Sequence, residues 1–88
     1  MLFVVPHYVY LAKCSDNSLY CGTCVDPVAR EAKHNAGKGA KYTRGRRPVK
    51  FVYVKKSRGL SAARKLEAKV KKMSREEKEK LVKGTLQP

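Results

Sequence analysis

The chain predicts an α/β fold of the α+β type, with elements in the order ββαβαα. Three observations predict it. Two short runs rich in Tyr, Val and Leu, at 7–13 and 19–24, flank the turn-forming Ser15-Asp16-Asn17-Ser18 and suggest a β-hairpin. Asp26-Pro27 follows the second run directly and opens a helix. Past a third strand-like run at 49–55, Leu60, Ala63, Leu66, Val70 and Met73 recur at helical spacing.

Each element has a local reason. In the first strand Tyr8 and Tyr10 share one face, because side chains alternate along a strand. Tyr20, on the second, lies close enough to join them. The helix that starts at Asp26 runs to about Asn35, where Gly37 ends it. Arg30 and His34 are four apart and stack on one side of it. Residues 36–48 form a basic loop whose three glycines let the backbone approach a phosphate, and whose Tyr42 can stack on a base or sugar. Residues 60–73 form an amphipathic helix on the sheet. Ser74 with Glu77 three residues on is a capping box, and it starts a short helix at 75–83 that Gly84 stops. At 88 residues this is one domain, with no repeat and no linker.

Charge indicates the partner. There are 21 Lys and Arg against 7 Asp and Glu, a net charge of +14. A field of that size attracts polyanions, nucleic acid first among them. An anionic membrane surface, an acidic protein partner and a ribosome-associated role are the other readings. The charge is also uneven. Residues 1–29 carry Lys13 as their sole base, whereas 30–58 carry eleven bases and one acid, Glu31. The first third is therefore scaffold, and Lys38, Lys41, Tyr42, Arg44, Arg46 and Arg47 of the loop are the candidate nucleic-acid contacts.

No stretch is long and apolar enough to span a membrane, and the apolar start at 1–6 lacks the basic segment of a signal peptide. A cytoplasmic location is the expectation, with nucleoid association in a bacterium. The odd cysteine count (Cys14, Cys21, Cys24) argues against a disulfide framework, and small buried hydrophobes are the expected role.

Few residues could carry chemistry. Between 32 and 75 Glu67 is the single carboxylate, and one carboxylate with waters and a substrate phosphate suffices for magnesium. An ion pair within the helix, to Lys71 or Arg64, is the competing role. Tyrosine transfers protons when nearby cations favour phenolate, but strand tyrosines also simply pack. Arg30 suits a two-donor phosphate clamp, or is a surface arginine beside Glu31. His34 suits proton transfer, or complements the helix dipole.

The ordered set Tyr8-Val9-Tyr10, Tyr20-Cys21-Gly22, Arg30, then His34-Asn35 and Gly37 through Gly39-Ala40 to Tyr42-Thr43-Arg44, Arg47-Pro48 and Glu67 resembles the small members of the GIY-YIG nuclease superfamily. The resemblance covers about residues 7–83. It implies a three-stranded antiparallel sheet flanked by helices and metal-dependent hydrolysis of DNA phosphodiesters, with one magnesium or manganese ion, in repair or recombination. Carried over by position, Glu67 would hold the metal. Tyr20 would be the general base or orient the attacking water, Tyr10 would assist, Arg30 would stabilise transition-state charge, and His34 would handle protons. DNA, branched or single-stranded, is the implied partner, ahead of RNA; no membrane partner is expected, since a strongly apolar helix face beside the basic one is lacking, and no protein partner is identified. The alternative is a noncatalytic DNA- or RNA-binding protein that retains the fold. The chain departs from the family pattern at Tyr8, where the name-giving glycine would stand, and at Cys21, where an aliphatic residue is usual.

Overall fold

The computed structural model describes residues 5–87, so most of the apolar start lies outside the described residues. Strand β1 (His7–Lys13) turns through Asn17, in the left-handed region, into β2 (Leu19–Cys24). Asp16 shapes that turn, accepting from the Ser18 amide at 3.0 Å and its hydroxyl at 2.6 Å. Helix α1 (Pro27–Asn35) begins as read, with the Asp26 carboxylate accepting from the Ala29 amide. Strand β3 (Lys50–Ser57) and helices α3 (Leu60–Lys71) and α4 (Arg75–Lys83) complete the frame, together with one element the sequence reading lacked, a single helical turn α2 (Lys41–Arg44).

The observed order is therefore ββααβαα rather than ββαβαα. The region read as an open loop holds α2 because tertiary bonds fix it. Thr43 is fully buried, and the Arg46 guanidinium, which donates to the Tyr42 carbonyl at 2.8 Å, is itself held by Asp16 of the hairpin turn at 2.9 Å. Four residues carry no apolar period, so no sequence pattern announces such a turn. Strand β3 starts one residue later than read and extends two further, and α3 stops at Lys71 rather than residue 73. The capping box at Ser74 and Glu77 is formed in full, and Gly84 closes α4 at φ 78°.

The sheet is antiparallel in the order β2-β1-β3, so β1 is central and both neighbours are edges. Alternation along β1 sorts the core into two layers. Val9 and Leu11 face α3 and α4, packing with Cys21, Ala63, Val70 and Leu81. Tyr10 and Ala12 face the other way, with Cys14, Cys24, Val49, Tyr8, Tyr20 and Phe51. All three cysteines are free and buried, the role the sequence suggested. A bulge opposite Leu11 and Ala12 leaves Val52 unpaired, so Tyr53 faces one layer and Phe51 the other.

Helix α1 is stitched to β3 by a pair of side chains at helical spacing. The Glu31 carboxylate accepts from the Phe51 amide at 2.7 Å. Asn35 accepts from the Val49 amide at 2.7 Å and donates to its carbonyl at 3.0 Å. These bonds satisfy backbone groups beside an edge strand that would otherwise be open. They also turn the neighbouring pair on α1, Arg30 and His34, toward the tyrosine face.

Candidate active site on the tyrosine face of the sheet

Tyr10 and Tyr20 project from adjacent strands onto the same face, ring centroids 6.3 Å apart. Gly22 makes this possible. It lies opposite Tyr10 in the sheet, and a Cβ there would stand 2.7 Å from the phenol Cζ. Phe51 stacks on Tyr10 from β3 at 4.0 Å. His34 enters from α1, edge-on to both tyrosines with centroids 5.8 Å away. The loop crosses this imidazole at Gly39, where any side chain would strike the ring.

The centre of the cluster is polar and buried. Tyr10 is 2% exposed, His34 1% and Thr43 0%. They form one chain of hydrogen bonds: Tyr10 Oη lies 2.8 Å from His34 Nε2, and His34 Nδ1 lies 2.7 Å from Thr43 Oγ1. Burial, and next the Tyr20 phenol, push the Tyr10 hydroxyl well above its ordinary range. Burial, and next the Arg30 guanidinium, hold the imidazole of His34 below its ordinary value. Both groups are thus kept neutral. His34 is not an exposed helix-end histidine complementing a dipole.

Tyr20 is half-buried, and its ring meets that of Tyr42, centroids 5.7 Å apart with the planes 21° from parallel. The Arg46 guanidinium lies 3.9 Å from the Tyr42 ring centre and also binds Asp16 at 2.9 Å. The Ser15 amide donates to the Arg46 carbonyl at 2.9 Å. Arg46 therefore ties the basic segment to the hairpin turn. Arg47 spends its donors on the carbonyls of Arg44 and Asn35. Lys38, Lys41 and Arg44 are exposed, and among the described residues none of them forms an ion pair.

Arg30 is half-buried in a cleft of about 260 Å³ lined by Cys24, Val25, Asp26, Ala29 and Lys33. No carboxylate among the described residues pairs with it, since Glu31 is engaged with β3. Its charge is felt at Tyr10, His34 and Cys24.

Glu67 comes from α3, on the opposite side of the sheet from the tyrosines. Its carboxylate lies 3.4 Å from the Lys71 ammonium, the intrahelical pair that the sequence offered as one alternative. Its charge, second to burial, pushes the Cys21 thiol up to about 11. Cys21 follows Tyr20 directly on β2, an edge strand, so Glu67 and Tyr20 belong to opposite faces of the same short stretch of that strand.

Sequence reasoning missed Thr43, Asn35 and Glu31 as parts that hold the site. The spacing of Glu31 and Asn35 matches that of Arg30 and His34, which is a signal of a second working face on α1. Thr43 had none.

The comparisons with known proteins agree with the fold. The GIY-YIG catalytic-domain family matches residues 6–81. This chain belongs to the GIY-YIG family. It is 51% identical over 79 residues to a UPF0213 protein of Staphylococcus haemolyticus, covering 90% of this chain and 96% of that one. It is 47% identical over 76 residues to a UPF0213 protein of the archaeon Natronomonas pharaonis, covering 86% and 89%. Its fold matches the solution NMR structure of a UPF0213 protein from Bacillus halodurans at 43% identity and TM-score 0.59, covering 94% of this chain and 88% of that one. A protein from E. faecalis, also solved by NMR, matches at 40% identity and TM-score 0.62, covering 96% and 90%. The family is one of nuclease-type domains, so the substrate class is nucleic acid and the usual cofactor a divalent metal ion. No helix among the described residues is long and apolar enough to cross a membrane.

Proposed function

We propose that this protein is a metal-dependent DNA endonuclease, acting as one domain along the exposed edge of β2. The observation that carries the reading is the convergence there of Tyr20, the unpaired guanidinium of Arg30 and the neutral Tyr10–His34 pair. It is supported by the family match and by the charge of +14.

The residues fit a hard divalent cation held in part by substrate. Glu67 supplies one oxygen donor, with 22% of its side chain exposed, and its Lys71 partner is itself half-exposed and exchangeable. One carboxylate is enough where waters and phosphate oxygens complete the shell of magnesium or manganese. When bound, the ion would polarise the phosphodiester and stabilise the leaving oxygen.

The chain's own residues do the rest. Tyr20 orients the attacking water and, in its phenolate form, takes the proton that the water gives up as it attacks. Arg30 donates to the phosphoryl oxygens, where charge grows in the transition state. Tyr10 and His34 set the shape and polarity of the wall behind them. Lys38, Lys41 and Arg44 hold the flanking phosphates, so affinity falls steeply with salt. Arg46 and Arg47, occupied in fixing the loop, contribute charge and order. Cytoplasmic action on branched or single-stranded DNA during repair or recombination is the setting we infer.

The Glu67–Lys71 pair favours a second reading, a nucleic-acid-binding protein without efficient chemistry. Incubation with supercoiled, single-stranded and branched DNA, with magnesium, manganese or chelator, separates the two. We expect metal-dependent cuts that Glu67→Gln abolishes while DNA binding stays. Binding without cuts, or cuts that survive Glu67→Gln, would favour the binding protein.

A further inference from the structure

We propose that Thr43 is a positioning residue that selects the tautomer of His34 and thereby holds the Tyr10 hydroxyl as a hydrogen-bond donor. The proposal about the imidazole stands on the geometry alone; its consequence for cleavage rests on the nuclease reading.

The inference follows from counting protons. Thr43 Oγ1 lies 2.9 Å from the Ala40 carbonyl oxygen and 2.7 Å from His34 Nδ1. A threonine hydroxyl has one proton, and a carbonyl has none to give. The proton therefore points to Ala40, and Oγ1 accepts from Nδ1–H. A neutral imidazole protonated at Nδ1 presents Nε2 as an acceptor. Tyr10 Oη, 2.8 Å away, must then donate to it. Every proton in the row has an acceptor.

The reverse arrangement leaves one stranded. If Thr43 donated to Nδ1, the Nε2 proton would point at Tyr10 Oη. The hydroxyl proton of Tyr10, a residue 2% exposed, would then have no acceptor among the described residues. Stranding a buried donor is more costly than an ordinary hydrogen bond is favourable. The Ala40 carbonyl also accepts from the Thr43 amide at 3.1 Å, so it anchors both ends of the residue that reads the imidazole.

Local structure delivers Thr43 to this place. The chain leaves α1, turns at Gly37 with φ 79°, and passes over the imidazole at Gly39. It then makes the single turn of α2, which buries Thr43 and exposes Lys41 and Arg44. The turn that would grip phosphate on its outside thus fixes the imidazole on its inside.

The test uses the full 15N-labelled chain and long-range 1H–15N correlations of the His34 ring, in wild type, Thr43→Val and Thr43→Ser. Valine keeps the shape of threonine without the hydroxyl, and serine keeps the hydroxyl. We expect the Nδ1–H pattern in wild type and in Thr43→Ser. In Thr43→Val the Nδ1–H to Nε2–H ratio should fall about tenfold, as the loss of one hydrogen bond requires. An Nε2–H pattern in wild type, or a Thr43→Val ring unchanged from wild type, overturns the proposal. If Thr43→Val fails to fold, the wild-type and Thr43→Ser spectra decide it. Cleavage is read in parallel: Thr43→Val should cut about tenfold more slowly at unchanged DNA affinity, with Thr43→Ser restoring the rate. A wild type that does not cut contradicts the nuclease reading and leaves the tautomer to the spectrum.

Discussion

On one side of the sheet Val9 and Leu11 meet Ala63, Val70 and Leu81 in an apolar layer, against which the buried Tyr53 hydroxyl packs without a hydrogen-bond partner; on the other, Tyr10, His34 and Thr43 are buried as deeply but joined by hydrogen bonds. Both layers come from alternate residues of the same strand, β1. The apolar layer stabilises without directing, since burial is proportional to area and has no orientation. The polar layer is directional. Each of its groups is bonded to the next in a row, and removing one partner strands its neighbour. The contrast separates what holds the fold together from what fixes atoms at the edge of β2.

The comparison can be broken hardest from the apolar side. Leu11→Ala removes a fully buried side chain, and a loss of about 3 kcal/mol is expected. That is a fall of more than about 10 °C in Tm for a chain this size, checked by thermal denaturation. Tyr10→Phe keeps the ring on Phe51 but strands His34 Nε2, at about 1–3 kcal/mol. It should lower Tm less than Leu11→Ala and slow cleavage more. Arg30→Ala should leave Tm within a few degrees and weaken cleavage more than DNA binding; equal loss of both would reduce Arg30 to a docking residue.

The pH dependence of stability sharpens the contrast. The folded His34 pKa lies below the ordinary 6.5, so the unfolded chain binds that proton more readily. The contribution of His34 is fully present above pH 6.5 and is lost as pH falls through its folded value. Melts from neutral into acidic pH should show this loss, and His34→Gln should flatten that part of the profile. The smallest effect belongs to an exposed helix start that is part of neither layer. Ser74→Ala removes the α4 cap, costs about 1 kcal/mol, and leaves cleavage unchanged below the melting range.

What was legible in the sequence was local. The hairpin strands, the Asp26 cap, the Ser74 capping box and the shared face of Tyr8 and Tyr10 each depend on neighbours a few residues away, and the structure has them as read. The α2 turn, the bulge at Val52 and the bonds from Glu31 and Asn35 to β3 depend on contacts from distant parts of the chain, and composition does not encode those. The same holds within the site. Residue types marked Tyr20, Arg30 and His34 as chemical groups. They could not tell that Tyr10 and His34 would be bonded to one another, or that Thr43 would stand behind them.

Tyr20→Phe tests the central claim most directly, because it deletes one hydroxyl from the tyrosine face and leaves the apolar layer untouched. Single-turnover cleavage with magnesium, measured beside Tm and DNA affinity, should show cutting lost while the other two stay near wild type. Cutting at the wild-type rate would contradict the assignment of chemistry to that face.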